Sequence, residues 1–305
     1  MSGEMNVFDR RLLRRRRDRA AGRPGDHDFL FREVAERLAD RLDDVTRSFP
    51  AALDLGCRSG LLAPILGGRG GIERLVQCDL SPAMACAAAG NGHPTLAADE
   101  EALPFAPRSF DLVMSLLALH WVNDLPGALL QIRESLKPDG LFLGALLGGE
   151  TLRELRAVLM EAELAEEGGA SPRVSPFADI RDAGGLLQRA GFALPVADLD
   201  RITVTYPDAL KLMRELSAMG ESNAVLERRR GTTRRATLMR AAALYEERFA
   251  GEDGRLPATF EVITLTAWAP HPDQQKPLQP GSARARLAEA LGSEERPAGD
   301  KARPK

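Results

Sequence analysis

Cysteine, histidine and long apolar runs are all scarce in this chain of 305 residues. The three cysteines, Cys57, Cys78 and Cys86, form no C-x-x-C pair and have no metal-ligand spacing, so they read as small buried thiols in a reducing compartment. Only four histidines are present, His27, His93, His120 and His271, which restricts metal chemistry, and no metal site is expected. No apolar stretch approaches the roughly 18 residues that span a bilayer. The amino terminus lacks the apolar core of a secretory signal. The expectation is a cytoplasmic protein without a transmembrane segment, with peripheral membrane contact left open. A net charge of −3 gives no reason to expect nucleic acid as a partner.

What is present is an alternation of strands and helices. Hydrophobic residues make up 44% and charged residues 28%, proportions that suit one large globular core. Between 50 and 147 the runs "AALDL", "RLVQCDL", "PTLAAD", "FDLVMSLLAL" and "LFLGALL" read as buried strands. The helical patterns "GLLAPIL", "PAMACAAA" and "LPGALLQIRESL" separate them. Such alternation implies a parallel sheet with helices on both faces. "LKPDG" at 136–140 marks a helix stop followed by a turn.

Phe31, Val34, Ala35, Leu38 and Leu42 recur at helical spacing and predict a helix near 28–46. Before it, "RRLLRRRRDR" at 10–19 carries seven arginines and reads as part of a solvated basic arm over 1–27. After 150 come two amphipathic helices, "TLRELRAVLMEAELAEEGG" and "DIRDAGGLLQRAGF". Two further strands, "DRITVTY" and "ATFEVITLTAWA", flank an arginine-rich helical insertion at about 207–250 that reads as a cap. The main domain is therefore 28–271, and the charged, proline-rich 272–305 is expected to be disordered.

Ligands on such sheets bind beyond the carboxyl ends of the strands. That rule gathers residues 54–60, 79–81, 99–101 and 115–121 around one crevice. Gly56 and Gly60 allow a tight turn after the first strand. Asp79 ends the second strand, where a carboxylate can accept from two ribose hydroxyls. Asp99 follows the third, where it can accept from an adenine amino group. Asp79 could instead cap the helix at Pro82, and Asp99 could be a turn residue; their order at successive strand ends favours a nucleotide site. A dinucleotide site would need G-x-G-x-x-G opening a helix, and Gly56, Arg58 and Gly60 do not supply it.

"LDLGCRSG" resembles the first motif of class I S-adenosylmethionine (SAM) methyltransferases, usually D-x-G-x-G-x-G. "CDLSPAM", "AADEEALPFAPRSFDLV" and "LKPDG" resemble that family's following motifs in order, over about residues 50–147. The resemblance implies a Rossmann-like α/β fold: a mostly parallel seven-stranded sheet, helices on both faces, and a helical cap. It implies SAM as cofactor, with Asp54 and Gly56 facing the methionine moiety and Asp79 binding the ribose. It also implies that Asp99 and Glu100 lie near the adenine and that Leu80 and Met84 pack its faces. Gly60 in the loop and Leu116 at the fourth strand complete the cofactor set.

A longer stretch, "SLLALHWVNDLPGALLQIRESLKPDGLFLGALLGGETLRELR", is similar to two subfamilies. One comprises the malonyl-carrier-protein methyltransferases of biotin synthesis, the other the assembly factors of respiratory complex I. "EEGGASPRVSPF", "MGESN" and "LPATFEVITLTAW" resemble the second, so that this similarity covers about 5–270. It implies a protein substrate, a quinone-site subunit of complex I, modified by methyl transfer or arginine hydroxylation. The alternatives are carboxyl methylation of a malonyl carrier protein and a non-catalytic SAM-binding assembly chaperone.

Methyl transfer demands alignment and water exclusion rather than a fixed acid–base set. The catalytic candidates are His120 and Trp121, past the fourth strand. His120 is a base, a substrate contact or a satisfied structural histidine; Trp121 is a sulfonium contact or a core wall. Glu221, Ser222 and Asn223 are turn residues or face the substrate. "ERRRGTTRR" at 227–235 is a solvated basic helix face or a dock for an acidic segment. An iron oxygenase needs two histidines and a carboxylate. His271 and Asp273 fall in the tail and Asp26, His27 and Asp28 before the core, so no oxygen chemistry is legible. Arg58 departs from the glycine loop: negative φ lets its side chain point outward, whereas positive φ predicts strain and weaker cofactor binding.

Overall fold

The first apolar run forms β1 (Ala51–Leu55), buried at every residue because it lies inside the sheet. It pairs in parallel with β2 (Arg74–Asp79) on one side and β4 (Phe110–Leu116) on the other. With β3 (Thr95–Ala97), β5 (Leu136–Leu147), β6 (Ala193–Tyr206) and β7 (Leu256–Trp268) the sheet has seven strands in the order β3-β2-β1-β4-β5-β7-β6. Only β7 runs against its neighbours, pairing antiparallel with β5 and β6. The computed structural model describes residues 6–22, 27–275 and 287–293.

Both faces of the sheet are covered, which is why its inner strands read as unbroken apolar runs. Side chains alternate between the two faces. Leu112 and Met114 join the core with Leu38, Phe49, Leu143 and Leu155. Val113 points into the opposite core with Leu53, Leu129, Phe142 and Leu187. At the edge, β6 stays largely solvent-facing and carries Asp198, Asp200 and Arg201, charges that discourage pairing with another chain.

The helices follow the expected breaks: α1 (Arg10–Ala20), α2 (Phe29–Asp40), α3 (Leu62–Leu66), α4 (Pro82–Ala88) and α5 (Leu125–Ser135). They continue with α6 (Arg153–Glu167), α7 (Ile180–Arg189), α8 (Ala209–Ala218), α9 (Arg235–Phe249) and α10 (Leu287–Leu291). Caps set several starts. Ser81 accepts from the Met84 amide with Pro82 in the first turn, and Asp124 accepts from Gly127.

Several expectations change. The arginine run at 10–19 is a helix with Leu13, Arg17 and Ala20 buried, not a solvated arm. α2 stops at Asp40, short of 46. "LKPDG" stops α5, but its turn is a kink inside β5, with Asp139 at φ 64 and a register shift against β4. The segment 207–250 is helical only in α8 and α9, and "ERRRGTTRR" is irregular until Arg235. Cys57 and Cys78 are buried, whereas Cys86 is exposed. The described residues up to Pro270 form one compact unit, and α10 lies outside it. Most of the expected tail lies outside the described residues. Among the described residues, no helix is long and apolar enough to cross a membrane.

Candidate active site

The N-terminal segment is pinned before α1 begins. Asn123 Oδ1 accepts from the amides of Val7 and Phe8, the Asp9 amide donates to the Ala224 carbonyl, and the Asp9 carboxylate caps α1 through Leu12. Arg10, Leu13, Arg17 and Ala20 share one helical face by their spacing. That face lies against the ends of β2 and β3.

Two arginines of α1 therefore reach the acids that the sequence assigns to the cofactor. Arg10 donates to Asp99 at 2.5 Å and also to Glu100. Arg17, fully buried, donates through Nη1 to Glu100 Oε1 at 2.9 Å and to Asp79 Oδ2 at 3.3 Å. Burial opposes the charge on Arg17, but Asp79 and Glu100 overcome it and raise its pKa above the ordinary value. Burial likewise opposes ionisation of Glu100, and Arg17 with Arg10 lowers its pKa on balance. Asp79 also accepts from the amides of Arg58 at 3.0 Å and Ser81 at 2.7 Å, tying together the loops after β1 and β2.

The glycines of the first loop are needed by the protein's own packing. Both have positive φ. A Cβ on Gly56 would lie 2.2 Å from that of Ala118, and one on Gly60 would lie 2.3 Å from Asn91 Nδ2. Arg58, between them, also has positive φ, at 52°. That region costs a non-glycine residue about 1 kcal/mol. The side chain does not point outward. Its guanidinium meets Glu221 Oε1 at 2.8 Å, donates to the Met219 carbonyl, and lies 3.9 Å over the Phe31 ring.

Glu221 joins this loop to the other candidates. Its Oε2 accepts from Trp121 Nε1 at 2.8 Å and lies 3.4 Å from His120 Nε2. Burial lowers the pKa of His120, which favours the neutral ring despite Glu221. Trp121 is fully enclosed and packs edge-on against Phe8, so it is a core wall as well as a hydrogen-bond donor. Leu80 packs on the same small cluster, while Met84 and Leu116 line a cavity of about 40 Å³ beside Cys57 and Arg58.

Asp54 and Gln77 lie beneath the loop. Gln77 Nε2 reaches Asp54 Oδ2 at 3.5 Å, while Asp54 Oδ1 and Gln77 Oε1 are buried without partners. Burial raises the Asp54 carboxyl to about 7. Arg17 Nε and Nη2 are also buried without partners. Among the described residues, no group of three or more His, Cys, Asp or Glu side chains is arranged to hold a metal ion.

The structure thus links Asp79, Asp99 and Glu100 through Arg10 and Arg17, with Gly56 packed against Glu100 and Ala118 and Asp54 held by Gln77. Leu116 lines the small cavity beside Arg58, and His120 and Trp121 meet at Glu221. Sequence reasoning missed Arg10 and Arg17 as site residues. Their signal was the pairing of arginine with Leu13 and Ala20 on one face, which marks a buried stripe. In the basic segment at 227–235 Arg228 pairs with Asp9, and Arg229 with Glu163 and Glu167, so these two are not part of a solvated helix face.

A family model described as a methyltransferase domain matches residues 53–144. The YcgJ protein of Bacillus subtilis superposes with a TM-score of 0.53 at 14% identity, over 77% of this chain and 98% of that one, which shows the shared fold. The chain is 46% identical to the mitochondrial arginine-hydroxylase NDUFAF5 of Danio rerio, over 93% of its own length and 89% of that protein's. It is 37% identical to a malonyl-[acyl-carrier protein] O-methyltransferase of Methylovorus, over 92% and 97%. The chain carries a methyltransferase domain and belongs to the family of the NDUFAF5 arginine-hydroxylases.

Proposed function

We propose that the chain is a SAM-dependent enzyme that modifies an arginine side chain of a protein substrate. The quinone-site subunit of complex I is the substrate that the sequence resemblance points to. The supporting observation is the convergence of Asp54, Asp79 and Glu100 at strand ends in a chain 46% identical to an arginine-hydroxylase.

The donor set suits an adenosyl amino acid. Asp79 would accept from the ribose, Asp99 from the adenine amino group, and Met84 and Leu116 would supply apolar contact. The orphaned Asp54 Oδ1 is a buried acceptor suited to the ammonium of the methionine moiety, which would favour its ionised form. SAM supplies, when bound, an electrophilic methyl group on a sulfonium. Arg10 and Arg17 hold the same acids in this structure, and the neighbouring cavity is about 40 Å³, against the several hundred of ordinary ligand pockets. Binding would therefore exchange the α1 ion pairs for ligand contacts. On the acceptor side, Trp121 and neutral His120 orient Glu221 and exclude water.

Mass spectrometry of the quinone-site subunit, with and without this protein, tests the reading: a gain of one methyl group or one oxygen on an arginine is expected. An unmodified subunit overturns it. The second reading, carboxyl methylation of a malonyl carrier protein, is favoured by the 37% identity to the Methylovorus enzyme, and rescue of a biotin-requiring strain would establish it. A chaperone role without catalysis predicts that Asp79→Ala abolishes SAM binding and leaves assembly intact.

A further inference from the structure

Arg58 sits in a site that has all the parts of a guanidinium receptor. A carboxylate, Glu221, meets it at 2.8 Å; an aromatic face, Phe31, lies 3.9 Å below; and the Met219 carbonyl accepts a third contact. Charge-assisted hydrogen bonds and ring stacking are the two ways proteins recognise this planar cation. Glu221 is held in place independently of Arg58, by the Trp121 indole at 2.8 Å and by His120. The occupant reaches the receptor from a left-handed backbone position, which a side chain adopts only at a cost.

Glu221 also faces a second space. A cavity of about 340 Å³ lies under the cap, with Leu155, Leu159, Met213 and Leu216 among its apolar walls, and Glu221 lines it. That volume is at the size of a small ligand pocket. The arginines on its wall are compensated: Arg173 and Arg229 pair with Glu163, Arg229 also with Glu167, and Arg228 with Asp9. Arg16 donates to the Ser222 and Asn223 carbonyls. Among the described residues lining the cavity, Glu221 is the one carboxylate. A cation entering there would replace Arg58 in kind, leaving the net charge of the buried site unchanged and avoiding the cost of burying an unpaired charge.

We propose that Glu221, Phe31 and the Met219 carbonyl form the subsite for the guanidinium of a substrate arginine that enters through the cap cavity and passes Glu221, the one of the three that lines it, towards the smaller cavity lined by Phe31 and Met219, and that Arg58 holds this subsite until the substrate displaces it. The inference rests on the reading of the protein as an arginine-modifying enzyme.

The test uses the full chain and two blocked tripeptides, acetyl-Gly-Arg-Gly-amide and its lysine counterpart, in calorimetric titrations. Arg58→Ala should bind the arginine peptide at least tenfold more tightly than the wild type. The lysine peptide should bind neither protein, and adding Glu221→Gln should remove the gain. A folded Arg58→Ala protein with no gain, or with equal binding of both peptides, overturns the subsite. A Leu238→Trp substitution on the cavity wall of that variant should block the peptide but not methylguanidinium; unimpaired peptide binding overturns entry through the cavity.

Should Arg58→Ala not fold, the wild type decides by NMR of arginine side chains. The arginine peptide should move the Arg58 Nε–H signal from slow to fast solvent exchange, and an unchanged signal at saturating peptide overturns the displacement. SAM binding is titrated separately. Arginine binding without SAM binding would overturn the cofactor assignment and leave the subsite standing, and the converse would overturn the subsite alone.

Discussion

Arg58 and Glu221, 163 positions apart in the chain, form a buried ion pair at 2.8 Å that fastens the loop after β1 to the segment after α8. Glu221→Gln leaves the Arg58 cation buried without its counterion. Breaking one side of a buried pair typically costs about 3–5 kcal/mol. Urea unfolding of the variant should show a loss in that range near neutral pH, and a loss below about 1 kcal/mol would mean that the pair contributes little.

The same pair predicts an acid sensitivity. Burial would raise the Glu221 carboxyl, but the hydrogen bond from His120 and the charge of Arg58 outweigh it and bring the group down to about 2. An unfolded glutamate titrates near ~4.3. The folded value is the lower one, so the stabilisation is fully present above ~4.3 and is lost as pH falls towards about 2. The stability gap between wild type and Glu221→Gln should therefore narrow below pH ~4. A constant gap from pH 6 to 3 would refute this.

Asp54 predicts the opposite slope. Burial raises its carboxyl to about 7, so the folded state holds a proton that the unfolded chain releases near ~3.9. Its contribution then falls as pH rises from ~4 to about 7. Asp54→Asn should remove this loss and gain on the order of 2–4 kcal/mol at pH 7.5 without ligand. Unfolding free energies measured across pH 4–8 check it. The variant should also bind SAM more weakly, since an amide is a poorer partner for an ammonium.

Arg17 competes for Asp79 and Glu100. Arg17→Gln should tighten SAM binding by roughly tenfold, equivalent to about 1.4 kcal/mol, as measured by calorimetry. Weaker binding would show that the arginine contributes to the bound cofactor instead.

Gly56→Ala puts a methyl group 2.2 Å from Ala118 Cβ at a positive φ. Overpacking and backbone strain together should cost at least about 2 kcal/mol. A drop in thermal midpoint, seen whether or not SAM is added, would confirm that this glycine serves packing.

The sheet was legible because strands buried on both faces leave apolar runs that no surface element imitates, as "AALDL" and "FDLVMSLLAL" do. The proximity of the strand-end acids was legible because the topology puts successive strand ends together, and Asp79 and Glu100 do meet at Arg17. The stripe of Leu13, Arg17 and Ala20 signals that Arg17 is buried, but not its partners, because a long side chain lets the charge reach acids that a helical wheel cannot foresee. The fate of Arg58 was left open between two backbone conformations; it takes the strained one and turns inward, since its partners Glu221 and Phe31 lie far away in sequence. Glu221 reads in the sequence as a turn residue or a substrate contact, and only the fold shows the tryptophan, histidine and arginine around it.

The anchoring of Val7, Phe8 and Asp9 to Asn123 and Ala224 has a practical meaning for anyone handling this protein. These few residues set the direction in which α1 runs past Asp79, Asp99 and Glu100. A tag joined ahead of residue 6 leaves that anchor intact. A cut after Ala20 would remove the anchor together with Arg10 and Arg17, leaving Asp79, Asp99 and Glu100 with no cation from α1. Trimmed and untrimmed preparations of one chain should therefore behave as two different ligand-binding proteins.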